Sequence, residues 1–170
     1  MSKHKYIINN FQQLWNHQSI EVRGRIYTTG GAIANSKIYL KSCQVLNEDS
    51  MTFQDLAPMN YERDAHGICS WQDRFIICVG SWHGAGARTC EMYDVQTNVW
   101  QELPQLSDGT CAPGLCVIND KLYKLGGTSD IGKVEMLDLN ELKRWVTINT
   151  SNKYGRKHTI NRCLLHKIDP

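Results

Sequence analysis

Residues 66–80 read HGICSWQDRFIICVG, and the architecture of the chain follows from this segment. A first strand over residues 66–71 runs into the polar pair Gln72-Asp73, and the apolar run Phe75–Val79 comes next. Such a run is too short for a buried helix and is typical of a strand covered on both faces. Two extended segments joined by a short polar turn predict a β-hairpin, and Gly80 ends it.

The hairpin recurs twice along the chain. Residues 17–31 read HQSIEVRGRIYTTGG and residues 113–127 read PGLCVINDKLYKLGG, so that the closing glycines Gly31, Gly80 and Gly127 are 47 to 49 residues apart. A second block follows each hairpin and supplies two more short strands: CQVLNEDSMTFQDL at 43–56, CEMYDVQTNVWQEL at 90–103 and VEMLDLNELKRWVTI at 134–148. The repeat therefore predicts an all-β chain of four-stranded antiparallel units, with at most one helical turn at residues 10–15.

These units resemble kelch repeats. The resemblance rests on glycine pairs after the second strand (Gly30-Gly31, Gly126-Gly127), on an aromatic residue that opens the fourth strand (Trp100, Trp145), and on Arg63 three residues ahead of His66. The departures are Val79-Gly80 where the other units have a glycine pair, Phe53 in place of the tryptophan, and Thr110 and Pro113 in place of Arg63 and His66. The resemblance covers about residues 15–165 and implies kelch-type β-propeller blades.

The expected organisation is an incomplete propeller of about three blades plus the first strand of a fourth. The expected parts are a flanking segment (1–14), three blades (15–59, 60–106, 107–150) and the start of a further blade (151–170). Propellers typically close with 4 to 8 blades. We therefore expect either a piece of a longer product or self-association that completes the propeller.

Composition sets the class of protein and its compartment. Nineteen basic and seventeen acidic residues leave a net charge of +2, which argues against nucleic acid held on a basic stripe and against a polybasic membrane anchor. No apolar run approaches the roughly 20 residues of a spanning helix, and residues 1–10 do not read as a secretory signal. Seven cysteines, an odd number, predict free thiols in a reducing compartment, so a cytoplasmic location is expected.

No residue pattern predicts an enzyme active site, a metal site or a cofactor. Cys43 and Cys90 share one repeat position and Cys69 and Cys116 share another, as core packing produces. Zinc-type cysteine pairs and a nucleophile elbow are both absent from the sequence. His66 is expected to fix the start of its strand by a hydrogen bond.

The resemblance implies that the loops after the glycine pairs and between blades line one face where partners dock. The residues expected to bind a partner there are Trp82, His83, Arg88, Arg63, Tyr61 and Arg156. Their arginines favour an acidic or phosphorylated peptide. The competing interpretation is that these basic residues only pair with Glu62 and Asp64 and bind nothing.

Two functions are compatible with the repeat. The first is a non-enzymatic protein–protein interaction module that presents loops to a protein or peptide. The alternative is part of a kelch-propeller sugar enzyme, galactose-oxidase-like or mutarotase-like. A copper oxidase would need clustered Tyr and His ligands, for which Tyr61, Tyr154, His83 and His158 are the available residues.

Overall fold

A computed structural model shows three four-stranded antiparallel sheets that follow one another along the chain. The structure describes residues 14–128 and 132–148. Each sheet is a meander in which consecutive strands are neighbours. The predicted all-β fold of kelch-type blades is confirmed, and the three sheets do not close into a ring. The first strand of a fourth blade and the rest of residues 151–170 lie outside the described residues.

The sheets are named units 1, 2 and 3. A strand β1 (Leu14–Trp15) precedes them and pairs with β4 (Ala32–Ile33). Unit 1 consists of β2 (Gln18–Val22), β3 (Arg25–Thr29), β5 (Cys43–Asn47) and β6 (Thr52–Asp55). Unit 2 consists of β7 (Gly67–Trp71), β8 (Phe75–Val79), β9 (Cys90–Asp94) and β10 (Val99–Leu103), with a 3₁₀ turn at Ala85–Arg88 between its second and third strands. Unit 3 consists of β11 (Gly114–Ile118), β12 (Lys121–Leu125), β13 (Val134–Asp138) and β14 (Val146–Ile148).

The helical turn expected near residues 10–15 is wrong where the structure describes it. Leu14 and Trp15 form β1, because their backbone pairs with Ile33 and Ala32. Local sequence could not reveal this pairing, since the partner strand follows the first hairpin.

The first turn of each unit has the left-handed backbone that its sequence predicted. Both residues of Arg23-Gly24 and of Asn119-Asp120 have positive φ, as do Gln72 (φ 52°) and Asp73 (φ 48°). Unit 2 differs because Trp71 pairs with Phe75, which leaves Arg74 as an additional residue in its turn. The corresponding turns of units 1 and 3 contain two residues.

This additional residue shifts the alignment of the glycines. The Gly80 N–H donates to Thr89 O (3.1 Å), as the Gly30 N–H donates to Ser42 O (2.8 Å). The Ser81 N–H donates to Thr110 O (2.9 Å), as the Gly31 N–H donates to Arg63 O (2.7 Å). Gly80-Ser81 therefore takes the place of the glycine pair, and the predicted alignment of Val79-Gly80 was wrong by one residue.

The first glycine of the pair lets the next unit approach. Gly30 (φ 59°) and Gly80 (φ 78°) both have left-handed backbones, and a Cβ on them would collide with the carbonyl oxygens of Arg63 and Thr110. Glycine tolerates this conformation and contact because it has no side chain. Each of these carbonyl groups lies just ahead of the following unit.

The first strands of neighbouring units lie side by side, β2 against β7 and β7 against β11. Two apolar cores fill the space between the sheets. Units 1 and 2 bury Val22, Tyr27, Cys43, Val45, Ile76, Cys78 and Tyr93, and units 2 and 3 bury Cys69, Ile77, Val79, Cys90, Leu115, Leu122 and Leu137. The residues of the apolar run 76–79 are completely buried, which confirms a strand covered on both faces.

The cysteines among the described residues are free thiols. Burial raises the pKa of the Cys78 and Cys90 thiols to about 12. Because the thiolate is the reactive form, these side chains act as small core residues, as predicted.

Two tryptophans, Trp100 within β10 and Trp145 directly before β14, are hydrogen-bonded to the segment that precedes their unit. The Trp100 Nε1–H donates to Ala57 O (2.8 Å), and the Trp145 Nε1–H donates to Pro104 O (2.8 Å). Trp100 also packs against the core between units 1 and 2. Within the described residues, no helix has the length and apolar character needed to cross a membrane.

Candidate functional site

The meander order gathers two kinds of loop at one end of every sheet. These are the segments between the second and third strands (30–42, 80–89) and the links between units (56–66, 104–113). We call this the loop end. The opposite, turn end carries the hairpin turns and the turns between third and fourth strands.

Both exposed tryptophans, Trp15 and Trp82, lie at the loop end together with Ile38, whereas Ile26, Val99, Ile118 and Val146 are exposed at the turn end. Trp82 is 58% exposed, Trp15 is 60% exposed and Ile38 is 54% exposed. Trp82 is held by its backbone N–H, which donates to Asp64 O (2.9 Å). Trp82 was predicted for this face, whereas Trp15 and Ile38 were missed.

His83 lies between a phenol and a carboxylate. Its ring stacks on Tyr39 with centroids 4.4 Å apart, and its Nε2 lies 3.1 Å from the Tyr39 hydroxyl. On the other side, Nδ1 lies 3.5 Å from Asp64 Oδ1. The Ser81 hydroxyl donates to the same carboxylate oxygen (3.3 Å). Two polar contacts and a ring stack thus fix the orientation of an imidazole that is 46% exposed.

Arg63 does not lie on the surface, which corrects its prediction as a partner-binding residue. Its side chain is fully buried, and its Nε donates to Glu91 Oε1 (2.9 Å). Its remaining nitrogens donate to three backbone carbonyl oxygens and to the Thr89 hydroxyl. Arg63 therefore neutralises Glu91 and ties down the 80–89 loop, and the alternative pairing with Glu62 or Asp64 was also wrong.

The other predicted residues have different surroundings. Arg88 is exposed, and its Nε donates to Leu106 O (3.2 Å). The Tyr61 hydroxyl donates to Glu102 Oε1 (3.1 Å), and this hydrogen bond raises the pKa of the phenol. Arg156 lies outside the described residues.

Three cavities open at the loop end. The first, of about 370 Å³, we call the Asp64 groove, and it is lined by Trp15, Asn16, Ala32, Ile33, Ser36, Tyr39, Asp64, Trp82 and His83. The second, of about 300 Å³, contains Lys41, Tyr61 and Glu62 as well as Tyr39 and His83. The third, of about 530 Å³, lies between units 2 and 3 and contains Trp82, Asp108, Thr110 and Cys111. Each cavity includes one carboxylate.

Comparison with known proteins gives a consistent assignment. No family model matches the chain. It is 28% identical to Kelch-like protein 40 of Xenopus tropicalis over 137 residues, which are 78% of this chain and 22% of that protein. It is 28% identical to Kelch repeat and BTB domain-containing protein 2 of Ectromelia virus (92% of this chain, 27% of that protein). It is 29% identical to Kelch-like protein 7 of Rattus norvegicus (76% and 22%).

These relatives are all kelch proteins, which supports assignment of the chain to the kelch repeat family. The chain spans about a quarter of the length of these curated relatives.

The kelch histidine has a structural role. His66 is buried, and its Nε2 lies 2.8 Å from the Thr29 hydroxyl of the preceding unit. Burial lowers the pKa of His66 to about 3, so the ring is neutral near pH 7. The predicted hydrogen-bonding role is confirmed. Within residues 14–128 and 132–148, no group of three or more His, Cys, Asp or Glu side chains is arranged to hold a metal ion.

Proposed function

We propose that the chain is a non-enzymatic protein–protein interaction module that binds a protein or peptide at its loop end. The kelch relatives support the general role. The observation that carries the proposal is the pair of exposed tryptophans, Trp15 and Trp82, which line the same groove at this end. Exposed apolar groups rimmed by polar residues mark interaction sites, and tryptophan is enriched among residues that dominate binding energy.

The geometry of the 80–89 loop supports a contact role for Trp82 and His83. Both side chains are accessible, while the loop backbone is fixed at Ser81 and by the buried Arg63 guanidinium. A fixed loop with exposed aromatic side chains loses little conformational entropy when a partner binds.

The prediction of an acidic or phosphorylated partner now rests on fewer basic residues. With Arg63 buried and Arg156 outside the described residues, an acidic or phosphorylated partner would contact the exposed Arg88 and His83. Arg88→Glu tests this part of the proposal separately from Trp82→Ala.

The test is recovery of partners from cell extract by the 170-residue chain and by Trp82→Ala/Arg88→Glu. The matched control is Val99→Ala/Lys143→Glu, which removes an exposed apolar side chain and reverses an exposed charge at the turn end. Asn119 is unsuitable as a control because its φ of 48° is strained for alanine. We expect the loop-end variant to lose the specific partner and the control to keep it. Loss in the control alone would place the binding face at the turn end.

We further propose that the three units are completed by other propeller blades in the working assembly, including those of a second copy. Support comes from the open arrangement of the sheets and from the 4 to 8 blades that propellers typically have. Light scattering on the purified chain tests self-association, for which a stable dimer is expected. A monomer that unfolds cooperatively would exclude self-association. The predicted cytoplasmic location is tested by imaging the tagged chain.

A further inference from the structure

We propose that the Asp64 groove receives a lysine or arginine side chain of the protein partner. This inference rests on the proposed function and specifies the chemistry of the partner at one site. It differs from the sequence-based expectation, in which the partner is acidic.

The first argument is the state of the Asp64 carboxylate. Its side chain is 4% exposed, and its Oδ1 has contacts with the Ser81 hydroxyl and with His83 Nδ1. In the part of the chain that the structure describes, no donor is paired with Oδ2. Oδ2 keeps some contact with solvent in the groove, so an ammonium or guanidinium group of a partner could reach it and form a charge-assisted hydrogen bond.

The second argument is the nature of the walls. Trp15 and Trp82 are more than half exposed, and Tyr39 is held against the His83 ring. Aromatic faces attract cations and also pack against the aliphatic stems of lysine and arginine. The groove volume of about 370 Å³ lies within the range of about 300–1,000 Å³ that is usual for ligand sites.

The third argument is the charge of the lining. Asp64 is the only Asp, Glu, Lys or Arg among the nine residues that line this groove. The neighbouring cavities contribute Glu62 and Asp108, and Lys41 is the only Lys or Arg that lines any of the three. An acidic side chain entering the Asp64 groove would meet a like charge, which is unfavourable.

The experiment is selection of displayed random peptides on the 170-residue chain, followed by titration of the best peptide. We expect the selected peptides to share a lysine or arginine at one position. Replacing that residue by norleucine should weaken binding to the unchanged protein by at least about tenfold, because a charge-assisted hydrogen bond is lost. This arm requires no protein variant and is independent of folding.

The protein arm uses Asp64→Asn, which keeps the shape of the side chain and removes its charge. This change should lower the affinity for the lysine or arginine peptide by at least about tenfold, so that this peptide no longer binds more tightly than the norleucine peptide. The matched control is Asp108→Asn at the same end, where the carboxylate is 61% exposed and pairs with Lys133. Because an exposed pair contributes little, this control should change affinity by less than about threefold.

Three results would overturn the inference. They are selection of peptides that share Asp or Glu but no lysine or arginine, no selection of peptides at all, and equal binding of the lysine or arginine peptide and the norleucine peptide. If Trp82→Ala/Arg88→Glu abolishes partner recovery while Asp64→Asn leaves it and its salt dependence unchanged, the interaction module stands and the cation site does not. If neither variant changes recovery, both proposals fail.

Discussion

Units 2 and 3 bury a carboxylate at the same position of the sheet and neutralise it from different places. Glu91 lies opposite Cys78 in unit 2, and Glu135 lies opposite Lys124 in unit 3. In unit 2 the cation is Arg63, which comes from the link between units. In unit 3 it is Lys124 on the neighbouring strand, with Nζ 2.9 Å from Glu135 Oε2. Unit 1 has the neutral pair Thr28 and Gln44 at this position.

The difference shows that each of these buried carboxylates is paired with a cation, although the cation comes from a different sequence position in each unit. Thr110 replaces Arg63 in unit 3, where Lys124 supplies the positive charge. Burying an ion pair is weakly stabilising at best, whereas removing one partner is strongly destabilising. The two units also differ in the number of cations beside the carboxylate. Glu135 has a second cation, Lys133 (3.1 Å), whereas Arg63 is the only cation paired with Glu91 among the described residues.

The largest expected effect is that of Arg63→Met. This change leaves Glu91 buried without a cation, so the free energy of unfolding should fall by about 3–5 kcal/mol. Lys124→Met leaves Lys133 beside Glu135 and should cost less than about 3 kcal/mol. Urea denaturation followed by circular dichroism measures both. An equal or larger loss in Lys124→Met would remove the contrast between the units.

A double variant sharpens the same test. Arg63→Met/Glu91→Gln removes the charges together and gives unit 2 the neutral state of unit 1. It should recover at least about 1 kcal/mol relative to Arg63→Met alone. No recovery would indicate that the backbone hydrogen bonds of Arg63, and not its charge pairing, stabilise the unit.

The next effect concerns a feature that the two units share. Trp100→Ala and Trp145→Ala each remove a half-buried aromatic ring and one hydrogen bond to the preceding link, and each should cost about 3 kcal/mol. Trp100→Phe keeps the ring and should cost about 1 kcal/mol, in line with Phe53 in unit 1. Denaturant unfolding checks the order. A phenylalanine variant as unstable as the alanine variant would contradict it.

A smaller effect is the pH dependence of stability that His66 causes. It distinguishes unit 2 from unit 3, because unit 3 has Pro113 at the position of His66. The folded pKa of His66 is about 3, below its ordinary value of 6.5. Above pH 6.5 the ring is neutral in both states. Between pH 6.5 and 3, His66 is protonated in the unfolded chain and stays neutral in the folded chain. The free energy of unfolding therefore falls by up to about 1.4 kcal/mol for each pH unit below 6.5.

Stability measured between pH 6.5 and 5 should therefore fall by about 2 kcal/mol. His66→Asn should flatten this dependence. Asp94 and Asp108, whose pKa values are lowered by Arg74 and Lys133, lose their contribution only as the pH falls below their ordinary value of 3.8. An unchanged slope in His66→Asn would assign the dependence to another group.

The smallest effect on stability is that of Trp82→Ala, at less than about 1 kcal/mol, because the side chain is 58% exposed. Thermal unfolding of this variant and of Trp100→Ala provides the comparison. A greater loss from Trp82→Ala would contradict the assignment of Trp82 to an exposed loop.

The sequence predicted the strands well because each carries its own signal. Alternating or continuous apolar residues, turn residues and a period near 47 residues all agree, which is how natural repeats specify a fold. The one misalignment came from Arg74, because an additional turn residue is invisible when units are aligned on their last glycine. β1 was missed because its pairing is not local.

The site was harder to predict because its contacts join distant segments. Arg63 stands between two acidic residues, yet its partner is Glu91, 28 residues away. Tyr39 meets His83 across 44 residues and lies just beyond the loop that the glycine pair indicated. Trp82 and His83 were predicted as contact residues because an irregular, glycine-containing loop with an aromatic residue is a local signal, and that role stays a prediction.

The serine that replaces the second glycine of unit 2 has a consequence for the kinetics of recognition. The Ser81 hydroxyl accepts from the backbone N–H groups of Asp64 and His83 and donates to the Asp64 carboxylate. A glycine at this position would leave these groups without that common partner. The 80–89 loop is thus fixed by contacts within the chain, so the proposed binding would need no slow loop rearrangement. Affinity differences among loop-end variants should then appear mainly in the dissociation rate.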